Sequence, residues 1–144
     1  FGYGVALLFA VSLFSTDIRR PSEDAFIKGN LAGIRVQTEL YYDENGNYGL
    51  ASVNPATSRE ACSVSNTIFD PKTKYPIFQA IEAASKYSNG EKKWSATCAL
   101  DADKKMWAVS VPLKSDKKKS WCVDSTGASR LVSRTISEAK CPEE

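Results

Sequence analysis

The sequence predicts an α+β protein shaped like a lollipop. A long N-terminal helix has an apolar stem and an amphipathic lower half. It packs on a short antiparallel three-stranded meander, which disulfide bonds cross-link. This fold class follows from three observations: residues 1–16 carry no charge, residues 22–44 place apolar side chains at helical spacing, and three short strand patterns follow in a chain with four cysteines. A chain of 144 residues fits one domain.

The composition narrows the classes of function. There are 19 basic and 17 acidic residues, so the net charge is +2, which does not favour a dedicated nucleic-acid binder. Histidine is absent, which excludes Ser-His-Asp and Cys-His catalysis and imidazole zinc sites. With no glycine-rich phosphate loop and no convincing carboxylate pair, we expect a protein that is not an enzyme, with no catalytic residues, cofactor or metal.

The first segment, residues 1–16, reads FGYGVALLFAVSLFST. As a helix it would span about 24 Å, slightly less than a bilayer core of about 30 Å. It is open to three interpretations: the hydrophobic stretch of a signal peptide, a buried core helix, or a terminal helix that rests in a membrane and later packs against copies of itself. We favour the third, in which the packing residues are Phe1, Val5, Leu7, Leu8, Phe9, Val11, Leu13 and Phe14.

The predicted stem covers residues 1–21 and the predicted globular head covers residues 22–144. Charges at Asp17, Arg19 and Arg20 mark the end of the apolar zone. Pro21 should break or kink the helix, since proline removes a backbone donor and clashes with the preceding turn.

The head begins with the amphipathic half of the helix, residues 22–45. Its stripe is predicted from Ile27, Leu31, Ile34 and Tyr41, and we expect this stripe to be widened by Ala25, Ala32, Val36 and Leu40. Asn45 and Gly46 form a left-handed cap. The Asp43-x-Asn45-x-Asn47 run copies the start of a calcium loop, but Tyr48 stands where glycine is required, so a helix-ending turn is favoured.

The rest of the head is predicted as a loop over residues 46–74, a short helix over 75–88, a sheet over 93–124 and an irregular tail over 125–144. The strand patterns are residues 93–100, 105–113 and 120–124. Because the connections between these patterns are short, we expect an antiparallel meander.

The four cysteines allow three pairings. We favour Cys62–Cys98, which ties the long loop to the sheet, and Cys122–Cys141, which holds the tail to the last strand. Each would contribute about 3 kcal/mol in the chain-entropy model. An even count beside an apolar leader indicates an oxidising compartment, and four reduced thiols are the alternative.

The turn between the last two predicted strands carries a basic cluster. Its members are Lys114, Lys117, Lys118 and Lys119, a possible contact for DNA or another polyanion. A solvated hairpin turn is the favoured interpretation because Asp116 interrupts the run and no aromatic residue lies within it.

Two pairs of segments resemble a known family. Residues 24–35 (DAFIKGNLAGIR) and 39–48 (ELYYDENGNY) resemble the helix of bacterial type IV pilins. Residues 107–114 (WAVSVPLK) and 121–127 (WCVDSTG) resemble the sheet of the same family. The likeness is closest to pilins of small-genome, host-associated bacteria, and a pilin-like fold is what it implies.

The resemblance implies a structural subunit of an extracellular type IV pilus. In the family, a prepilin peptidase exposes an N-methylated phenylalanine, here Phe1, and the apolar helix holds the unassembled pool in the inner membrane. An assembly machinery with assembly and retraction ATPases then builds a helical homopolymer for twitching motility, surface or host adhesion, or DNA uptake. A C-terminal disulfide loop is common there, which Cys122–Cys141 would fit. The family has a docking glutamate where this sequence has Val5.

Two alternatives stay open at this point. One is a pseudopilin of a type II secretion system, which would share the fold but form a short periplasmic filament. The other is a membrane-anchored module that binds DNA or a host ligand. Filaments visible on the cell would distinguish a type IV pilus subunit from a membrane-anchored binding module.

Overall fold

The computed structural model describes residues 15–90, 94–133 and 135–143, with side chains from Ser22 onward. It contains two α-helices and five strands, with a short 3-10 helix over Glu60–Ser63. The elements are α1 (Ser15–Asn45), β1 (Ala56–Ser58), α2 (Ile77–Asn89), β2 (Thr97–Leu100), β3 (Trp107–Pro112), β4 (Ser120–Asp124) and β5 (Ser129–Val132).

The five strands form one antiparallel sheet in the order β1-β2-β3-β4-β5. Val109 of β3 lies opposite Cys98 of β2 and Val123 of β4, which sets the register of the centre. Because successive side chains point to opposite faces, each buried strand supplies residues to two separate cores.

The larger core lies between the sheet and the two helices. Ile27, Leu31 and Ile34 of α1 are fully buried and belong to the same cluster as Ile81 of α2 and Trp107 of β3. The spacing of four and three between these α1 residues gives the narrow buried seam that is typical of a helix packed along one side.

The second core lies on the other face of the sheet, beneath the C-terminal tail. Small strand residues such as Ala99 and Ala108 pack there with Val132 and with Ile136 and Ala139 of the tail. The sheet is therefore covered on both faces, by helices on one and by an irregular segment on the other.

The fold class predicted from the sequence, a long N-terminal helix on a three-stranded meander, is wrong. The sheet has five strands, and the helix is described over 31 residues, Ser15–Asn45. β1 lies inside the predicted loop and β5 inside the predicted tail. With three and four residues, both strands are too short for an alternating pattern to stand out.

Two expectations for α1 are also corrected. The residues expected to widen the buried stripe, Ala25, Ala32, Val36 and Leu40, are exposed. The backbone of α1 is helical without interruption through Pro21, which counts against the predicted helix break there. The predicted helix end is confirmed: Gly46 has φ +73° and donates its N–H to Tyr42 O at 2.7 Å.

Both favoured disulfides are present, Cys62–Cys98 and Cys122–Cys141. They lie on opposite faces of the sheet, since Cys98 belongs to the helix-side core and Cys122 to the tail-side core. The first therefore fixes the long loop to β2, and the second fixes the tail to β4.

Candidate functional site

The feature that stands out on the surface is one side of α1 that the rest of the described chain leaves largely exposed, with Tyr87 stacked on Phe26 at its edge. We call it the uncovered face. Phe26, Val36 and Leu40 are its large members, with exposed fractions of 55%, 63% and 46%. Its small members are Ala25, Gly29, Ala32 and Gly33.

The uncovered face lies opposite the buried seam and carries no charged side chain from Ala25 to Leu40. At about 1.5 Å per residue this stretch is about 22 Å long. Three charged side chains along one border are directed to the head. They are Lys28, with Nζ 4.6 Å from the Trp121 ring centroid, Arg35, with Nη2 2.7 Å from Ala128 O, and Glu39, whose Oε1 accepts from Tyr48 Oη at 2.9 Å.

The two glycines of this face make it unusually flat. A Cβ built on Gly29 or Gly33 would meet nothing within 4 Å. Neither glycine is therefore required by packing inside the described chain, although glycine costs a helix interior roughly 0.5–1 kcal/mol relative to alanine. Small residues let two helix backbones approach closely, so the face is shaped for contact with another helix.

A buried carboxylate holds α1 to the head near the start of the uncovered face. Asp24 Oδ1 accepts the backbone N–H groups of Lys114 at 2.7 Å and Ser115 at 3.2 Å. Its Oδ2 accepts the hydroxyl of Ser115. Since these bonds end in the β3–β4 turn, they fix the turn beside α1.

The same turn contains the basic cluster predicted from the sequence. Lys117 donates its ammonium to Ser88 O at the end of α2, and burial together with the charge of Lys114 lowers the pKa of Lys117. Within the described chain, the ammonium groups of Lys118 and Lys119 have no hydrogen bond or ion pair, and both side chains are exposed. Within the basic cluster, Lys117 thus has a structural role, whereas the ammonium groups of Lys118 and Lys119 are free within the described ranges.

The tail is held by a second buried carboxylate, Asp124, which is fully buried. Its Oδ1 accepts the N–H and hydroxyl of Thr126 at 2.8 and 2.6 Å and the N–H of Ala128 at 3.2 Å, and its Oδ2 accepts the N–H of Cys141 at 2.7 Å. Burial alone would raise the pKa of Asp124, but these hydrogen bonds outweigh burial and lower it.

The described part of the head has two larger surface grooves. One, of about 320 Å³, lies beside the stacked rings of Phe78 and Trp94, whose centroids are 5.5 Å apart. The other, of about 350 Å³, lies between β1 and the tail. Across the described ranges no group of three or more His, Cys, Asp or Glu side chains is placed to hold a metal ion.

Sequence reasoning missed the uncovered face because it merged two apolar sets into one stripe. Ala25, Gly29, Ala32, Val36 and Leu40 recur at spacings of four and three, half a turn away from Ile27, Leu31 and Ile34. Two such sets on one helix indicate two packing faces. The eight residues predicted to pack in a filament core, Phe1 to Phe14, lie outside the described residues.

Neither helix, over the part of the chain that the structure describes, is both long and apolar enough to cross a bilayer. A scan against protein-family models found no match, and searches of curated proteins and of solved structures found none either.

Proposed function

We propose that this protein is a structural subunit that polymerises into an extracellular type IV pilus. The observation that supports this most is the uncovered face of α1. It lies on the helix whose sequence continues, toward the N-terminus, into a stretch of sixteen residues without a charge. The chain thus offers copies of itself an apolar N-terminal segment followed by a flat apolar side of α1.

Covering the apolar side chains of this side contributes favourably to self-association. Full burial of a Val-, Leu- or Phe-sized side chain contributes about 1.5–3 kcal/mol, so covering three that are about half exposed contributes about 3 kcal/mol. The predicted packing residues between Phe1 and Phe14 would add to this. A heterologous contact that repeats without closing a ring produces an open helical filament.

The two disulfides fit a filament that works outside the cytoplasm, because disulfides persist in oxidising compartments. The resemblance of four segments to type IV pilins supports the same proposal. Under this proposal the unassembled pool lies in the inner membrane. Its partners there are the lipid bilayer, prepilin peptidase, and the assembly machinery with its ATPases. The assembled filament serves motility, adhesion or DNA uptake.

The test is assembly of the full-length chain after detergent removal, followed by negative-stain electron microscopy and sedimentation. Val36→Lys places a charge in the centre of the uncovered face without disturbing the head. Leu50→Lys is the matched control, because Leu50 is 50% exposed but lies outside α1. Burying an unpaired lysine costs about 3 kcal/mol or more, which weakens association at least a hundredfold.

We expect filaments from the wild-type chain and from Leu50→Lys, and none from Val36→Lys at the same concentration. Equal assembly of the two variants would refute the role of the uncovered face. Short assemblies of a few subunits in every sample would favour a pseudopilin. Absence of any polymer, with solitary chains in micelles, would favour a membrane-anchored binding module.

A further inference from the structure

Three elements meet at the end of the head from which α1 continues toward the N-terminus. Asp24 joins α1 to the β3–β4 turn, Lys117 joins that turn to Ser88 of α2, and Phe26 of α1 stacks on Tyr87 of α2 with ring centroids 4.8 Å apart. We call this end the basic pole. Its cationic residues are Lys86, Lys114, Lys117, Lys118 and Lys119.

The charge of the basic pole is positive after its acidic neighbours are counted. Asp24 is buried and its oxygens are occupied by the turn, while Glu23 and Asp116 remain near the surface. Asp116 accepts the backbone N–H of Lys118 at 3.0 Å and so shapes the turn. Glu82 Oε1 lies 4.0 Å from Lys86 Nζ. At the pole, Lys118 and Lys119 are exposed and form no ion pair with any described residue.

The position of the basic pole relative to the apolar segment indicates which surface its charges can reach. α1 continues as helix from Asp24 back to Ser15, and the first charge in the sequence is Asp17. Seven residues of helix rise about 10 Å. That distance is close to the Debye length of about 8–10 Å at physiological ionic strength, so charges at the pole act on a surface at the level of Asp17.

We infer that the basic pole contacts anionic phospholipid headgroups while the subunit is held in the membrane. Lysines beside an anionic leaflet each contribute to attraction, and exposed aromatic side chains with a polar edge, such as Tyr87, favour the interfacial layer. This inference rests on the membrane-held stage of the proposed function. It adds a specific partner, the negatively charged lipid, and a specific surface.

Nucleic acid is the less favoured partner for the same cations. Phe26 and Tyr87 stack on each other with an interplanar angle of 9°, so each ring already has one face occupied and offers less to a base. A membrane surface needs no stacking platform, and the apolar residues that precede Asp17 bring the pole close to one.

The experiment is lysine footprinting of the full-length chain with a membrane-impermeant acetylating reagent. The chain is reconstituted in vesicles of phosphatidylcholine alone, or of phosphatidylcholine with phosphatidylglycerol. Lys72 is the internal control: it is exposed, and it lies near the other end of α1, where Lys74 Nζ contacts Glu44 Oε1 at 2.9 Å.

Acetylation of Lys118 and Lys119 should slow about twofold when phosphatidylglycerol is present, since the gain of about 1 kcal/mol for a lysine at an anionic surface falls to roughly a third one Debye length away. Lys72 should react at the same rate in both vesicles, and high salt should abolish the difference. Equal rates for Lys118 and Lys119 in both vesicles would overturn the inference. Protection by a single-stranded oligonucleotide without vesicles, stronger than by phosphatidylglycerol, would overturn it in favour of nucleic acid.

Failure here is distinguishable from failure of the filament proposal. Lys118→Gln with Lys119→Gln removes both free cations but leaves the uncovered face unchanged, so we expect normal filaments and lost sensitivity of Lys114 acetylation to phosphatidylglycerol. Val36→Lys should show the reverse, with protected lysines and no filaments. Retained lipid sensitivity of Lys114 in the double variant would contradict the assignment of the contact to these two lysines.

Discussion

Removal of the Asp124 carboxylate should loosen the C-terminal tail, which the Cys122–Cys141 disulfide still joins to β4. In Asp124→Ala, the N–H groups of Thr126, Ala128 and Cys141 lose their acceptor, and those of Ala128 and Cys141 lie in a buried region. Hydrogen bonds to a charged group contribute about 1.5–3 kcal/mol each, and the bonds to one carboxylate are not additive. We therefore expect a loss of about 3–5 kcal/mol in the free energy of unfolding.

The Asp124→Asn substitution removes the negative charge of the side chain but keeps its shape. The amide oxygen still accepts from Thr126 and Ala128, but the amide nitrogen then faces the N–H of Cys141, so the expected loss is about 1–3 kcal/mol. The measurement is urea unfolding of the oxidised full-length chain in mild detergent, followed by tryptophan fluorescence. Asp116→Asn is the control, with an expected change below about 1 kcal/mol, because Asp116 accepts one exposed backbone N–H.

The pH dependence of the same carboxylate gives an independent readout. Because hydrogen bonds lower the pKa of Asp124 below the unfolded value of about 3.9, its contribution to stability is complete above that value. The contribution is lost as the pH falls through the folded-state pKa, and Asp124→Asn should flatten this acid limb. An unchanged acid limb, or a loss in Asp124→Ala no larger than in Asp116→Asn, would refute the reasoning.

Two further predictions follow from the head. Replacing both Cys122 and Cys141 by alanine opens a loop with a sequence separation of 19 and should lower the free energy of unfolding by about 3 kcal/mol. Hydrogen exchange should increase only in the tail, and a uniform increase across the sheet would contradict this. Burial and the hydrogen bond to Glu39 raise the pKa of Tyr48 to about 12, so its share of stability should be lost as the pH rises from about 10 through 12. An ultraviolet titration of the wild type against Tyr48→Phe measures this pKa, and Glu39→Gln should lower it; no change in that variant would exclude the effect of Glu39.

The sequence predicted those parts of the fold that depend on local patterns. Gly46 after Asn45 indicated the end of α1, and the pairing of Cys62 with Cys98 followed from the need to hold a long loop against a sheet. The central strands were recognised because β3 and β4 are rich in valine and tryptophan and are separated by turn residues. These signals come from neighbouring residues and need no knowledge of the tertiary structure.

The parts that could not be predicted depend on distant residues. β5 becomes a strand because it pairs with β4, as in Leu131 opposite Trp121, and its own four residues carry no clear alternation. Asp24 and Asp124 were not recognised as anchors, since their partners lie across the fold or in an irregular tail. The uncovered face was missed because apolar periodicity reports that a helix side is buried, without stating whether by its own chain or by another.

The central claim, that copies of this chain meet along the uncovered face, is tested most directly by a spin label at Val36. The four native cysteines are all in disulfides, so Val36→Cys supplies a unique free thiol for a nitroxide, and Leu50→Cys supplies its counterpart outside α1. On assembly after detergent removal, the spectrum at Val36 should change from mobile to immobilised, whereas that at Leu50 should change little. A label at Val36 that stays as mobile in the sedimented polymer as in micelles would contradict the claim.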